Sequence, residues 1–158
     1  MAAWEDYMIV NETNVRNVKI KKLNKDAKIP KYAHSGDSGF DLAAIENVTI
    51  VPGETTIVKT GLAISVPKGT ELQIRPRSGT SLKTSLRIVN SPGTVDSNYL
   101  GEVGIIVQNT GHRAIFLEKG ERIAQGVICP VYEARFVEVE EFEETTRGSG
   151  GFGSTGNN

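Results

Sequence analysis

Five polar segments of the chain contain glycine and have residue types that suit the recognition of a phosphate-bearing ligand. They span residues 36–44, 76–83, 90–103, 120–127 and 147–156, and they hold most of the 17 glycines. Glycine lets backbone N–H groups turn toward an anion and lets the chain approach a ligand closely. The distribution therefore indicates anion binding as the chemistry to look for in these segments.

The last segment, residues 147–156, combines an arginine, a phenylalanine and three hydroxyl side chains with five glycines. Arg147 and the hydroxyls of Ser154 and Thr155 can bind phosphate oxygens, and Phe152 can stack on a planar base. Such a segment would become ordered on binding and act as a lid. The alternative interpretation is a disordered Gly-rich linker or tail.

Three further positions offer groups for a charged ligand. Arg77 and Ser78 follow a predicted strand, where a planar guanidinium and a hydroxyl suit phosphate oxygens, although an ordinary surface turn is the alternative. Gln125 begins another strand and can either reach a phosphate or be an ordinary polar strand residue. Asp41 lies between apolar neighbours, and such an acid is usually paired or close to a metal.

Residues 91–102 predict a β-hairpin with a long tip. The backbone of such a hairpin can pair with the edge of a pyrimidine base, and Asp96 can act as a general base on a water molecule. Tyr99 can pack flat against a sugar, so that a ribose 2′-hydroxyl would collide with its ring. The alternative is that Asp96 caps a turn and that Tyr99 is merely half-buried.

Five motifs occur together in a fixed order. They read Gly-Phe-Asp-Leu, Pro-Arg-Ser-Gly, Gly-Thr-Val-Asp-x-x-Tyr-x-Gly-Glu, Arg-Ile-Ala-Gln and Arg-Gly-x-Gly-Gly-Phe-Gly-Ser-Thr-Gly. From about Val18 to Gly156 the chain resembles the homotrimeric dUTPase (deoxyuridine triphosphate nucleotidohydrolase) family. It departs from the family pattern at Phe40, at Leu100 and at Gly126, where tyrosine, arginine and leucine are usual.

The resemblance implies a β jelly roll that assembles as a homotrimer, with sites shared among the subunits and a C-terminal segment that reaches a neighbour. The implied reaction is hydrolysis of dUTP to dUMP and diphosphate, which lowers dUTP and supplies dUMP for dTMP synthesis. The implied cofactor is Mg²⁺, held mainly by the triphosphate.

Roles for individual residues follow from the same resemblance. Asp96 would activate the water that attacks the α-phosphorus, and Asp41 would position the hydrated Mg²⁺ through water. The implied phosphate-binding residues are Arg77, Ser78, Gly79, Gln125, Arg147, Ser154 and Thr155. The implied uracil- and deoxyribose-binding residues are Asn90, Gly93, Val95, Tyr99, Phe152 and Gly153.

Two alternatives to a dedicated dUTPase stay open. One is a dCTP deaminase-related nucleotide enzyme, against which the Pro-Arg-Ser-Gly motif and the complete C-terminal motif argue. The other is a protein on the dUTPase scaffold with an additional, protein-binding regulatory role. A purely regulatory protein would be expected to lack Asp96 or Arg147, and both are present.

The elements that must position these residues are strands. Val, Ile and Thr far outnumber Leu and Ala, and short β-rich runs alternate with Pro-Gly, Lys-Gly and Thr-Gly turn signals. This pattern predicts an all-β sandwich, barrel or jelly roll, with one short helix near residues 80–84 and a last strand over residues 135–139. The predicted organisation is an extension over residues 1–16, a β domain over 17–144 and a flexible lid over 145–158.

The charge balance and the single cysteine limit the partners and the cellular location that we expect. Acids and bases number 19 and 18, for a net charge of −1, which argues against a nucleic-acid partner. Cys129 is the only cysteine, so an intrachain disulfide is impossible and a reducing compartment is expected. No apolar run approaches the ~20 residues needed to span a bilayer. We therefore expect a soluble, cytoplasmic protein with no membrane partner.

Overall fold

The computed structural model describes residues 15–151. In this range the chain forms strands joined by short turns, together with one short helix. The elements are β1 (Lys19–Lys22), β2 (Phe40–Ala43), β3 (Val48–Ile50), β4 (Thr55–Ser65), β5 (Thr70–Pro76), α1 (Ser78–Lys83), β6 (Leu86–Ile88), β7 (Gly93–Val95), β8 (Glu102–Asn109), β9 (Ile115–Leu117) and β10 (Arg122–Pro130). The predicted all-β class and the short helix after the fifth strand are both confirmed.

Two four-stranded antiparallel sheets make up the jelly roll. One sheet has the order β1-β4-β8-β6, the other has the order β2-β10-β5-β7, and β3 pairs with β9 in a small third sheet. The core contains side chains from all three sheets, and Ile50, Val58, Leu72, Val107 and Ala124 are fully buried in it. Burial of β-branched and leucine side chains from opposed sheets is the main term that stabilises such a fold.

Strand β4 is longer than the sequence predicts. Its sequence predicts two strands, over residues 55–59 and 62–66, but in the structure they join into one, with an irregularity in the pairing to β8 between Lys59 and Ala63. Gly61 lies at this bulge with a φ of +70°, and a Cβ atom there would lie 2.9 Å from the side chain of Ile45. Glycine is required at this position for both backbone conformation and space.

Asn109 ends β8 as a fully buried polar side chain. Its Nδ2 group donates to the carbonyls of Ile50 at 3.0 Å and Arg113 at 2.8 Å. Its Oδ1 atom accepts from the Ser85 hydroxyl and from the Gly111 N–H, both at 2.9 Å. This amide therefore ties β8 to β3 and to two loops, with every one of its hydrogen-bonding positions filled.

The predicted hairpin over residues 91–102 is wrong. β7 pairs with β5 at Leu72–Ile74, whereas β8 pairs with β4 and β6, so the two strands belong to different sheets. We call residues 91–102 the crossover segment, because they carry the chain from one sheet to the other. Sequence spacing alone suggested pairing between neighbouring strands, but the jelly roll pairs each strand with a distant one.

The predicted strand over residues 135–139 does not form, and residues 131–151 contain no strand. Tyr132, Phe136 and Phe142 in this C-terminal arm are more than nine-tenths exposed. A strand needs a ladder of backbone hydrogen bonds, but within residues 15–151 the arm makes only one to the rest of the chain, from the Val131 N–H to the Gly69 carbonyl at 3.0 Å.

Among residues 15–151, no helix has the length and apolar content needed to cross a membrane.

Candidate active site

A first cavity, of about 230 Å³, opens where the crossover segment passes between the two sheets. We call it the crossover cavity. It brings together five predicted residues: Asn90, Gly93, Val95, Asp96 and Tyr99. The remaining lining residues are Ile74, Thr94, Glu102, Val103, Gly104 and Ile106. All the described residues that the sequence predicted for base, sugar and water activation thus share one cavity.

A tight turn joins the predicted general base to the predicted sugar contact. The Tyr99 N–H donates to the Asp96 carbonyl at 3.0 Å, and Asp96 itself is exposed. Gly93 is buried, and a Cβ atom there would lie 3.2 Å from both Asn90 Nδ2 and Ile74 Cβ. The small size of residue 93 therefore lets the Asn90 amide lie against the backbone of β7.

The apolar part of the crossover cavity was missed by sequence reasoning. Ile74 comes from β5, whereas Val103, Gly104 and Ile106 come from β8 in the other sheet. Apolar strand residues look alike in a sequence whether they face a core or a ligand cavity. The one usable signal was Gly104, since glycine inside a strand often marks a close approach.

A second cavity, of about 330 Å³, collects the predicted anion-binding groups. We call it the anion cavity. Asp41, Arg77, Ser78, Gly79 and Gln125 line it. Four residues that were not predicted, Ala33, Asp37, Ser38 and Gly39, complete the lining. β2, β10 and the turn after β5 supply the predicted side chains, because β10 lies between β2 and β5 in the sheet.

Two arginines hold the carboxylate of Asp41. Its Oδ1 atom lies 2.6 Å from Arg77 Nε, and its Oδ2 atom lies 3.0 Å from Arg122 Nη1. Arg77 also donates to the Arg122 carbonyl at 3.3 Å. The expectation that Asp41 is a paired acid is confirmed. Arg122 belongs to the fourth motif, but sequence reasoning gave it no role.

Gln125 has a fixed orientation at the edge of the anion cavity. Its Nε2 group donates to the Pro76 carbonyl at 2.8 Å. Its Oε1 atom lies so close to Gly39 that a Cβ atom on residue 39 would collide with it. Glycine at position 39 thus leaves room for the amide that the sequence assigned to phosphate binding.

Of the predicted C-terminal residues, the structure describes Arg147, which lies outside these two cavities. Arg147 is exposed, donates from Nε to the Gly150 carbonyl at 2.8 Å and lines neither cavity. Phe152, Gly153, Ser154 and Thr155 lie outside the described residues.

The described residues supply no metal cage of their own. Within residues 15–151 there is no group of three or more His, Cys, Asp or Glu side chains that could hold an ion. Both oxygens of Asp41 already accept a hydrogen bond, one from Arg77 and one from Arg122. These donors fit an ion that is held by a ligand and met through its water shell, and they do not fit an ion bound by the protein alone.

The crossover cavity and the anion cavity have no lining residue in common. One offers a carboxylate, an amide, exposed backbone and an aromatic ring, which suits a nucleoside. The other offers the Arg77 guanidinium, two serine hydroxyls and the Gln125 amide beside two carboxylates, which suits a phosphate chain that carries a hydrated cation. The arrangement can hold a nucleotide only if the two sets of groups act on one ligand.

Comparisons with known proteins agree with this chemistry. The dUTPase family model matches residues 25–156. Deoxyuridine 5′-triphosphate nucleotidohydrolase of Clostridioides difficile is 51% identical over 140 residues, which cover 89% of this chain and 98% of that protein. The protein of the same name from Gloeothece citriformis is 53% identical over 139 residues, covering 88% and 96%.

Solved structures give the same result. The dUTPase of Staphylococcus bacteriophage 80alpha with dUpNHpp has a TM-score of 0.83 at 34% identity, covering 89% of this chain and 98% of that one. A variant dUTPase from phage phi11 of S. aureus has a TM-score of 0.76 at 28% identity, covering 81% and 99%, and is described with a structural Mg(II) ion.

Proposed function

The chain belongs to the dUTPase family, and on that premise we propose that it hydrolyses dUTP to dUMP and diphosphate. The reaction lowers the concentration of dUTP and supplies dUMP for dTMP synthesis. One observation carries the proposal for this chain: Asn90, Gly93, Val95, Asp96 and Tyr99 line a single cavity. Residues scattered over ten positions of sequence thereby become a nucleoside-sized site with a carboxylate at its edge.

In the proposed mechanism Asp96 takes a proton from a water molecule. The water oxygen attacks the α-phosphorus, the bond to the oxygen that bridges to the β-phosphorus breaks, and diphosphate leaves. The carboxylate is suited to this role because Asp96 is exposed at the cavity rather than buried. Most of the rate enhancement would then come from positioning and from charge stabilisation.

Specificity for the nucleoside is assigned to the crossover cavity. The backbone at Gly93 and Val95, together with the amide of Asn90, would bind the uracil edge. Tyr99 would pack against the deoxyribose and exclude a 2′-hydroxyl. Among residues 15–151, β7 is an edge strand that pairs only with β5, which supports this assignment because an open strand edge offers both donors and acceptors.

Phosphate binding is assigned to Arg77, Ser78, Gly79 and Gln125 in the anion cavity. Mg²⁺ would arrive on the triphosphate, whose charge it partly neutralises, and Asp41 would contact its water shell. This role agrees with the two arginines that already occupy the Asp41 carboxylate. The same arginines keep Asp41 aimed into the cavity.

We assign the active form to a homotrimer whose sites are shared among subunits. Two observations support it. The crossover and anion cavities have no residue in common, and the arm after β10 exposes Tyr132, Phe136 and Phe142 with no partner among residues 15–151. These exposed aromatic side chains would be removed from water if a second copy covered them.

Residues 145–158 would form the lid that closes on the bound nucleotide. Arg147, Ser154 and Thr155 would contact the phosphates, and Phe152 and Gly153 would cover the uracil. The β domain is then residues 17–144, preceded by the extension over residues 1–16. A cytoplasmic location fits the single, unpaired Cys129. An additional protein-binding role stays a prediction.

Diphosphate release from dUTP, dTTP, dCTP and UTP, measured side by side with and without Mg²⁺, tests the proposal. We expect Mg²⁺-stimulated release from dUTP alone. Ammonia release from dCTP would instead identify a deaminase, and equal hydrolysis of all four nucleotides would contradict the assigned specificity.

A further inference from the structure

The ring of Tyr99 lies directly on the backbone of Gly101. A Cβ atom on residue 101 would lie 2.5 Å from the Tyr99 hydroxyl oxygen, 2.7 Å from Cζ and 3.1 Å from Cε2. Contacts below 3.0 Å are too close for a real Cβ atom, so any side chain at 101 must displace the ring. Gly101 is not among the glycines with positive φ, so its backbone would accept other residues. The space that the ring occupies is therefore what requires glycine at this position.

A hydrogen bond from the hydroxyl of Tyr99 holds the same end of the ring that lies on Gly101. The hydroxyl donates to the Glu102 carbonyl at 2.9 Å. The carboxylate of Glu102 in turn accepts the Gly61 N–H at 2.8 Å, at the bulge of β4. Because Gly61 is held by its own conformation and by Ile45, the acceptor for Tyr99 is anchored to the neighbouring strand.

From these contacts we propose that Gly101 and Glu102 are positioning residues that set the discrimination between deoxyribose and ribose by fixing the ring of Tyr99. The inference rests on the proposed function for the role of Tyr99 itself. Gly101 supplies the space, the Glu102 carbonyl supplies the hydrogen bond, and the Glu102 carboxylate holds that carbonyl in place.

The physical reason is that steric exclusion needs a rigid wall. Tyr99 is 45% exposed, so much of its ring is not held by packing. A ring that is free to rotate can move aside for a 2′-hydroxyl, whereas a ring whose hydroxyl end lies on Gly101 and is hydrogen-bonded to the Glu102 carbonyl cannot. Specificity by exclusion is lost when the excluding group is misplaced by about 1 Å.

The test is the binding of dUMP and UMP by calorimetry to the full chain and to four variants. We expect the unsubstituted protein to bind dUMP more tightly than UMP. Gly101→Ala displaces the ring and Glu102→Ala releases the carbonyl from its anchor, so each should loosen the Tyr99 hydrogen bond and lower that ratio by about five-fold or more. Glu102→Gln keeps an acceptor for the Gly61 N–H and should retain the ratio. Leu100→Ala, an exposed neighbour on the same segment, is the matched control and should also retain it.

The outcomes separate the inference from the proposed function. If Gly101→Ala weakens both nucleotides equally, or if the unsubstituted protein binds them equally, the positioning role is refuted. If the protein prefers dUMP but releases no diphosphate from dUTP, the proposed function fails and the inference stands. If Gly101→Ala does not fold, Tyr99→Phe decides: it keeps the ring, loses the bond to Glu102, and should lower the ratio.

Discussion

Replacing Asn109 by alanine should destabilise the protein far more than an ordinary Asn→Ala change. The side chain makes four hydrogen bonds from a fully buried position. Each is worth about 1 kcal/mol net, and buried partners left unsatisfied cost more. Because the Ser85 hydroxyl can rotate to another partner, we expect a loss of about 3–5 kcal/mol in the free energy of unfolding.

Urea unfolding at one protein concentration measures this loss. With a denaturant dependence of about 2 kcal/mol per molar for a domain of this size, the midpoint should fall by about 1.5–2.5 M. Asn47→Ala is the matched control. Asn47 is exposed and its Oδ1 atom accepts one hydrogen bond, from the Lys119 N–H at 2.8 Å. Its loss should stay below about 1 kcal/mol.

Asn109→Asp separates the hydrogen bonds from the cavity. Aspartate has nearly the same shape, but it places a carboxylate where the Ile50 and Arg113 carbonyls now accept from an amide N–H. We expect a loss at least as large as for alanine, since two acceptors would face each other in a buried site. If Asn109→Ala lowers the free energy of unfolding no more than Asn47→Ala does, the hydrogen bonds of the buried amide do not stabilise the fold as proposed.

Three further outcomes are expected. Asp96→Asn should lower dUTP turnover by about 100-fold or more, while the affinity for dUTP measured by calorimetry stays nearly unchanged. If the variant turns over dUTP about as fast as the unsubstituted protein, Asp96 is not the general base. Deletion of residues 147–158 should leave a trimer by light scattering with badly impaired turnover, and an unfolded or monomeric product would show instead that the tail is structural. Gly126→Leu should lower the melting temperature, at a cost of about 1–3 kcal/mol, because a Cβ atom there would lie 2.5 Å from the Phe40 ring and 2.9 Å from Leu72. Adding Phe40→Leu should recover part of that loss, and no recovery would contradict the packing explanation.

Gly126 and Phe40 illustrate what the fold adds to a family comparison. Each departs from the usual family residue when read alone. In the structure they face each other across the β2–β10 pair, and the Phe40 ring occupies the space above Gly126. The two departures are therefore one packing arrangement, with a large residue on β2 opposite a small one on β10. The Phe40 ring also contacts Tyr32 edge to face, with 5.7 Å between centroids.

Composition and turn signals were sufficient for the all-β class, since β-branched residues fit a pleated strand wherever they occur. Motif order was sufficient for the family, because each motif carries side-chain types that its chemistry requires. β5, predicted over residues 71–75, and β10, predicted over residues 122–131, both lie within one residue of those limits, because the turn signals Lys68-Gly69 and Lys119-Gly120 precede them. Pairing was not predictable, and the hairpin assigned to residues 91–102 failed for that reason.

Amino-acid types and their order along the chain thus determined the kind of fold, the family and the groups available for chemistry. Only the tertiary structure decided which of those groups meet. It brought Asp96 and Tyr99 into one cavity with apolar residues from both sheets, and it put Asp41 between Arg77 and Arg122 in another. It also explains why residue 101 is glycine, since the Tyr99 ring lies on the backbone of that residue. The physical cause is the same throughout: side-chain chemistry is local to a residue, whereas proximity depends on strand pairing between distant parts of the chain.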